Sequence, residues 1–276
     1  MDLKKLMTQS FLTRTISGIV LVVLLLITGL LGGPVLYAGV LIIALIAVYE
    51  MLGVMQLKDS LIAKFAYVGT VLYYFMIYNT GAEYLDVFII AYLMVILAVY
   101  VFTYPKYKTE QVLHTFFAVI YAAVLMSFIY LVRSGDDGIF LIWLIFLSSW
   151  GCDTCAYLTG VTCGKHKMAP VLSPKKSVEG GIGGVIGAAL LGALYGFLVR
   201  NQVGFDHPAL VCAVVCGVGG LISMVGDLAA SAVKRNYGIK DYGKLIPGHG
   251  GILDRFDSVI FTAPVIYYLA KMILGL

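Results

Sequence analysis

Charge is scarce in this sequence. Only 12% of its 276 residues are Asp, Glu, Lys or Arg, about half of the roughly 25% found in ordinary soluble domains. Hydrophobic residues make up 61% and the mean hydropathy is +0.97. The apolar residues come in long runs near the bilayer-spanning length of about 20, without strand or amphipathic-helix periodicity, so a water-soluble core is excluded. Cysteine is sparse as well. The five thiols, Cys152, Cys155, Cys163, Cys212 and Cys216, lie in or beside apolar segments, which excludes a disulfide scaffold. The modest net charge of +4, with a pI near 8.7, is spread between the apolar runs. A nucleic-acid domain gathers its basic residues on water-exposed elements, so that class of partner is excluded too.

What the sequence does have is a series of apolar runs. They predict an all-α, polytopic integral membrane protein with about nine transmembrane helices, at Ile16 to Leu31, Val35 to Leu52, Leu61 to Tyr78, Tyr84 to Phe102, Val112 to Val132, Gly138 to Tyr157, Gly181 to Val199, Pro208 to Ala230 and Ser258 to Leu274. The first run follows Met1, Lys4, Lys5 and Arg14 like the start of a signal peptide. No A-x-A cleavage pattern follows it, so it reads as the first span. Sixteen of the nineteen basic residues fall in one set of loops, leaving Arg133, Arg200 and Lys271 elsewhere. That bias predicts a cytoplasmic N-terminus and a multi-pass protein of the cell membrane. Residues 1–137 carry few polar groups within their spans and read as a transmembrane scaffold. Residues 138–276 read as a catalytic transmembrane region with two cytoplasmic loops, 158–180 and 231–257, the only connections long enough to build a site.

The second loop and its flanks hold Asp227, Ser231, Lys234, Arg235, Lys240 and Asp241, then Pro247-Gly248-His249-Gly250-Gly251, then Asp254, Arg255 and Asp257. If the eighth span continues helically, Asp227, Ser231 and Lys234 share a face. Asp254 and Asp257 stand at i and i+3 as the ninth span begins. Acids near a bilayer are functional candidates, and hard oxygen donors without a His/Cys set suit Mg²⁺, which completes its shell with water and substrate phosphates. The basic neighbours would neutralise a polyphosphate, and the glycines would let backbone approach it. Such a cluster describes metal-assisted phosphoryl or nucleotidyl transfer. The first loop offers Asp153 on a helical face shared with Trp150 and Tyr157, Ser173 held extended by the proline after it, and the cations Lys175 and Lys176.

These stretches resemble the phosphatidate cytidylyltransferases. The family's long signature, a serine, then Lys-Arg, then Lys-Asp, then Pro-Gly-His-Gly-Gly and Asp-Arg-x-Asp, is present between Ser231 and Asp257, and the Asp-x-x-Ala-Tyr and Ser-Pro-Lys-Lys segments are similar to its upstream motifs. The resemblance spans about 110 residues, Trp150 to Ser258. Ser177 stands where the family usually has threonine, Val161 where arginine is common, and Cys163 where an aromatic is. The resemblance implies that the phosphate of phosphatidic acid attacks the α-phosphorus of CTP, releasing pyrophosphate and leaving CDP-diacylglycerol at the membrane. It implies Mg²⁺ on Asp227, Asp254 and Asp257, with a second cation admitted and Asp153 near metal or nucleotide. Lys234, Arg235, Arg255, Ser173, Lys175 and Lys176, with Ser231, Lys240 and Asp241 beside them, fall to CTP and lipid phosphate. His249 either orients a phosphate or transfers a proton. The sequence does not choose an oligomeric state, a homodimer included.

Other signals have plainer readings. Cys152, Cys155, Cys163 and His166 have a zinc-like spacing, but the first two lie inside an apolar span. Glu50 reads as an interfacial acid, with the lining of the same cavity as its alternative. Tyr73, Tyr74, Tyr78, Tyr100, Tyr104 and Tyr107 read as an aromatic belt, and the small residues of Gly180 to Gly196 as a close-packing face. A CTP-dependent lipid kinase is the second functional reading and would release CDP. A secondary transporter is the third; its inverted repeats and midplane charges are missing here. A CDP-alcohol phosphotransferase lacks its glycine-bearing double-acid motif.

Overall fold

The computed structural model describes residues 3–274, with side chains from Thr15 onward; the basic side chains of Lys4, Lys5 and Arg14 lie outside the described residues. Eleven helices run in order: α1 (Leu3–Leu31), α2 (Gly33–Val54), α3 (Leu61–Thr80), α4 (Leu85–Phe102), α5 (Thr109–Ala118), α6 (Leu125–Ser134), α7 (Gly138–Phe146), α8 (Cys152–Cys163), α9 (Val178–Val199), α10 (Pro208–Asn236) and α11 (Leu253–Leu274). Two π-helical segments, Val119–Val124 and Leu147–Gly151, join α5 to α6 and α7 to α8. Those joined rods are 26 residues each, and among the described residues eight helices are long and apolar enough to cross a membrane. A ninth, the apolar Thr15–Leu31 part of α1, is shorter. The protein is an all-α polytopic membrane protein.

The chain forms two compact units. Among the described residues one comprises 3–127 with 239–256, the other 128–238 with 257–274. In the first, Tyr73 and Tyr74 are fully buried and meet edge to face. The Tyr74 hydroxyl donates to the Ala123 carbonyl at 3.3 Å, and the Tyr73 hydroxyl shares a 2.7 Å hydrogen bond with Ser127. Tyr107 is buried too, and its hydroxyl accepts from the Leu61 amide at the start of α3. These three tyrosines therefore belong to the interior, not to an interfacial belt, because each hydroxyl finds a partner inside. Helix α4 is the opposite case: only Tyr92, Ile96 and Val99 of it are buried.

In the second unit α9 packs against both α8 and α10 through its small residues. A Cβ at Gly192 would come within 2.4 Å of the Cys212 carbonyl oxygen, and one at Gly184 within 3.0 Å of that of Cys152. Backbones this close tolerate no side chain between them. Helix α8 ends at Cys163 and α9 begins at Val178, so the first long loop is shorter than the 158–180 expected. It carries an antiparallel hairpin of β1 (Lys167–Ala169) and β2 (Ser173–Ser177). Ser177 then caps α9, its hydroxyl accepting from the Gly180 amide at 3.1 Å. The second loop is also shorter than 231–257, since α10 continues to Asn236 and α11 starts at Leu253. The 29 residues of α10 measure roughly 44 Å at about 1.5 Å per residue, against a hydrocarbon layer of about 30 Å. The helix is longer than the apolar layer is thick, and its last turn carries the charged Lys234 and Arg235.

Candidate active site

A cleft of about 560 Å³ opens in the second unit. Its polar wall comes from four places: Asp153 on α8, Lys167 on β1, Ser173, Lys175, Lys176 and Ser177 on β2, and Asp227 on α10. Met168 and Met224 line its apolar side. On β2, Lys176 is half-buried and its ammonium contacts Asp227 Oδ2, while Lys175 is exposed at the cleft's edge. Asp153 and Tyr157, four residues apart on α8, both reach the cleft. Trp150 lies near the end of the π-helical segment that leads into α8, and its ring packs on Phe146 with centroids 5.1 Å apart.

The continuation of α10 puts Asp227, Ser231 and Lys234 on one helical face. The Lys234 ammonium lies 3.9 Å from Asp257 Oδ2, both side chains being only 13% exposed. The charge of Asp257 also interacts with those of Asp227 and Asp153. Helices α10 and α11 can approach here because residue 226 is glycine: a Cβ there would come within 2.8 Å of the Asp257 carbonyl oxygen and 3.0 Å of the Phe261 Cβ. Three acids of the second unit are thus gathered with Lys176 and Lys234. Arg235, in the last turn of α10, is exposed.

In the first unit, the glycine-rich turn is closed by the His249 amide donating to the Ile246 carbonyl and the Ile246 amide to the Gly250 carbonyl, both at 2.9 Å. Gly248 and Gly250 have φ of 77° and 87°, a left-handed conformation that side chains disfavour. Asp254 is buried, and its Oδ2 accepts from the Tyr242 amide at 2.8 Å and the Gly251 amide at 3.0 Å. The Asp241 side chain is near the same turn, its Cβ 3.4 Å from where a Cβ on Gly250 would be. Lys240 and Asp241 are exposed and Arg255 is half-buried. His249 stands apart from these groups, lining an apolar groove with Thr15, Gly18, Ile19, Val22 and Val23 of α1.

A family profile, "Cytidylyltransferase family", matches residues 12–273. The chain belongs to the cytidylyltransferase family. Curated relatives carry the name phosphatidate cytidylyltransferase: that of Staphylococcus aureus (strain COL) is 34% identical over 263 residues, that of Staphylococcus epidermidis (strain RP62A) 32% over 264, and that of Staphylococcus haemolyticus 31% over 261. Each alignment covers 93% of this chain and 97% of the relative.

For a cytidylyltransferase handling a triphosphate, the oxygen donors of the second unit fit Mg²⁺. Among the described residues no three His, Cys, Asp or Glu side chains form a ready-made metal cage, and Mg²⁺ ordinarily needs only one or two carboxylates beside water and phosphate oxygens. Asp257 facing Asp227 and Asp153 supplies that number at a place where a cation would offset like charges. The zinc-like set is dispersed. Cys152 is buried with its thiol 3.4 Å from the Gly220 carbonyl oxygen, Cys163 is exposed, and the His166 ring contacts Glu179, whose carboxylate also accepts the Lys165 and His166 amides.

One acid of this cytidylyltransferase has a place that its sequence position does not reveal. Glu50, near the end of α2, is 6% exposed, and both its oxygens accept backbone amides at the start of α11. No local pattern announces a contact across about two hundred residues. The nearest signal is an acid closing an otherwise apolar run.

Proposed function

We propose that the chain transfers the cytidylyl group of CTP to the phosphate of phosphatidic acid, forming CDP-diacylglycerol and pyrophosphate. A phosphate oxygen of the lipid bonds to the α-phosphorus of CTP as the bond to the β-phosphate breaks, and the leaving pyrophosphate takes the electron pair. The observation that carries this reading is the cleft in which Ser173, Lys175 and Lys176 face Asp153 and Asp227. Cations and a hydroxyl opposite acids suit a polyphosphate that brings its own metal, and in-line displacement at phosphorus depends on positioning and charge neutralisation above all.

Lys175 and Lys176 hold the phosphates as point charges and Ser173 donates to a phosphate oxygen. Asp227 and Asp257 would hold Mg²⁺, which when bound neutralises the triphosphate and the developing pyrophosphate. Asp254 is proposed as a further ligand on the family's Asp-Arg-x-Asp signature, and its Oδ2 is oriented by the two amides it accepts. Lys234 keeps Asp257 in place, and Arg235, Lys240 and Arg255 supply cations to incoming phosphate. The site faces the cytoplasm of the cell membrane in this reading, supported by the sixteen basic residues on that side.

The test is purified protein in lipid nanodiscs given phosphatidic acid, Mg²⁺ and CTP labelled on the α-phosphate. Label should enter the lipid with one pyrophosphate released per turnover; release of CDP would indicate a lipid kinase instead. Asp227→Asn and Asp257→Asn are each expected to slow turnover by about a hundredfold or more while the protein inserts normally. Wild-type rates in both would remove these acids from the mechanism.

A further inference from the structure

Glu50 is not among the groups assigned to phosphate or cation, yet its carboxylate, like that of Asp254, is held by two backbone amides. Its Oε1 accepts the Ile252 amide at 3.0 Å and its Oε2 the Leu253 amide at 2.9 Å. These are amides at the first turn of α11, which have no carbonyl partner within the helix. An acid at that end also meets the positive pole of the helix. Backbone closes over the carboxylate from two further directions. A Cβ at residue 243 would lie 2.3 Å from Oε1, and one at residue 251 would lie 2.5 Å from both oxygens. Neither Gly243 nor Gly251 has a positive φ, so what their positions demand is room for Glu50.

We propose that Glu50 is a positioning residue for cytidylyl transfer. By gripping Ile252 and Leu253 it fixes the residue at which α11 begins. Asp254 and Asp257 follow one and four residues after Leu253 on the same helix, so the residue at which that helix starts sets the place of both acids along it. Displacing reacting groups by about 1 Å can slow a reaction about a hundredfold, and a loosened first turn of α11 would move both acids together. This inference rests on the proposed transferase activity, because that activity supplies its catalytic readout.

The experiment uses the full-length protein in nanodiscs. Glu50→Gln keeps the shape of the side chain but offers one acceptor oxygen to two amides and turns an NH₂ toward the other. The expected result is a kcat lowered about ten- to a hundredfold, with KM for CTP unchanged to within about twofold. Amide hydrogen exchange should be faster at Ile252 and Leu253, a readout that needs no turnover. The second arm is a compensation test. Gly251→Ala puts a methyl group against the Glu50 oxygens and should lower kcat, whereas adding Glu50→Asp draws the carboxylate back by one methylene. The double variant should then turn over faster than Gly251→Ala alone, a result that two independent structural lesions would not give.

A wild-type kcat in Glu50→Gln overturns the proposal, as does a double variant no faster than Gly251→Ala alone. If Glu50→Gln fails to fold, the compensation pair decides. If the wild-type protein forms no CDP-diacylglycerol, the functional reading fails, and the exchange rates at Ile252 and Leu253 still report whether Glu50 holds the helix.

Discussion

Four carboxylates near the helix ends differ in what their oxygens touch. Asp227 meets an ammonium, Asp257 stands among charges, and Asp254 and Glu50 are occupied by backbone amides. The turn beside Asp254 gives the sharpest residue-scale prediction. Gly250→Ala would hold a non-glycine residue at φ 87° and place a Cβ 2.9 Å from Asp254 Oδ2. The left-handed conformation alone should lower stability by about 1–2 kcal/mol, measurable as a lower midpoint in thermal unfolding in detergent, and the disturbed Asp254 should lower kcat as well. Ser177 gives a milder one. Ser177→Ala removes the cap of α9 and should destabilise by about 1 kcal/mol, while Ser177→Thr, which keeps the hydroxyl, should melt with the wild type. The serine in place of the threonine usual in the family is explained by that cap: what the position requires is an oxygen for the Gly180 amide.

At the scale of helices, close backbone approach is the recurring device. Gly226 lets α10 meet α11 beside Asp227 and Asp257. Gly226→Val should force the two helices apart, lowering kcat by about tenfold or more and destabilising by about 1–3 kcal/mol from overpacking; steady-state kinetics and thermal unfolding together check both. Helix-scale features were unevenly legible in the sequence. Apolar runs located the spans because lipid demands a continuous apolar stretch of fixed length. The ends were less legible, since α10 keeps its helical hydrogen bonds for six residues past the expected Ala230 and nothing in hydropathy stops it. Neither π-helical segment has a compositional mark, so the sequence did not announce either one. Tyr73, Tyr74 and Tyr107 look like belt residues by position, and only their tertiary partners Ser127, Ala123 and Leu61 set them inside. Asp227 with Ser231 and Lys234 was readable because all three lie on one helix, whereas Glu50 was not, because its partners are remote in sequence.

For the whole molecule, the side that the site faces can be read from its cysteines. Cys163 is exposed at the end of α8, beside the loop that leads to the cleft, while Cys152, Cys212 and Cys216 are buried. A membrane-impermeant maleimide should therefore label Cys163 rapidly in inverted vesicles and not in sealed, right-side-out ones, and Cys163→Ser should remove that rapid labelling. Labelling only from the outside would invert the topology drawn from the basic loops. Asp227 is the twentieth residue of α10, which starts at Pro208, and so stands roughly 28 Å along its axis; with Pro208 at one edge of the apolar layer and the helix along its normal, that is close to the depth at which acyl chains give way to headgroups. A water-borne nucleotide and a leaflet-bound phosphate can meet at that height without either changing phase. Bilayer thickness thereby becomes a variable of the chemistry: chains long enough to submerge that aspartate would hide it from solvent, and shorter ones would lift it away from the lipid it serves.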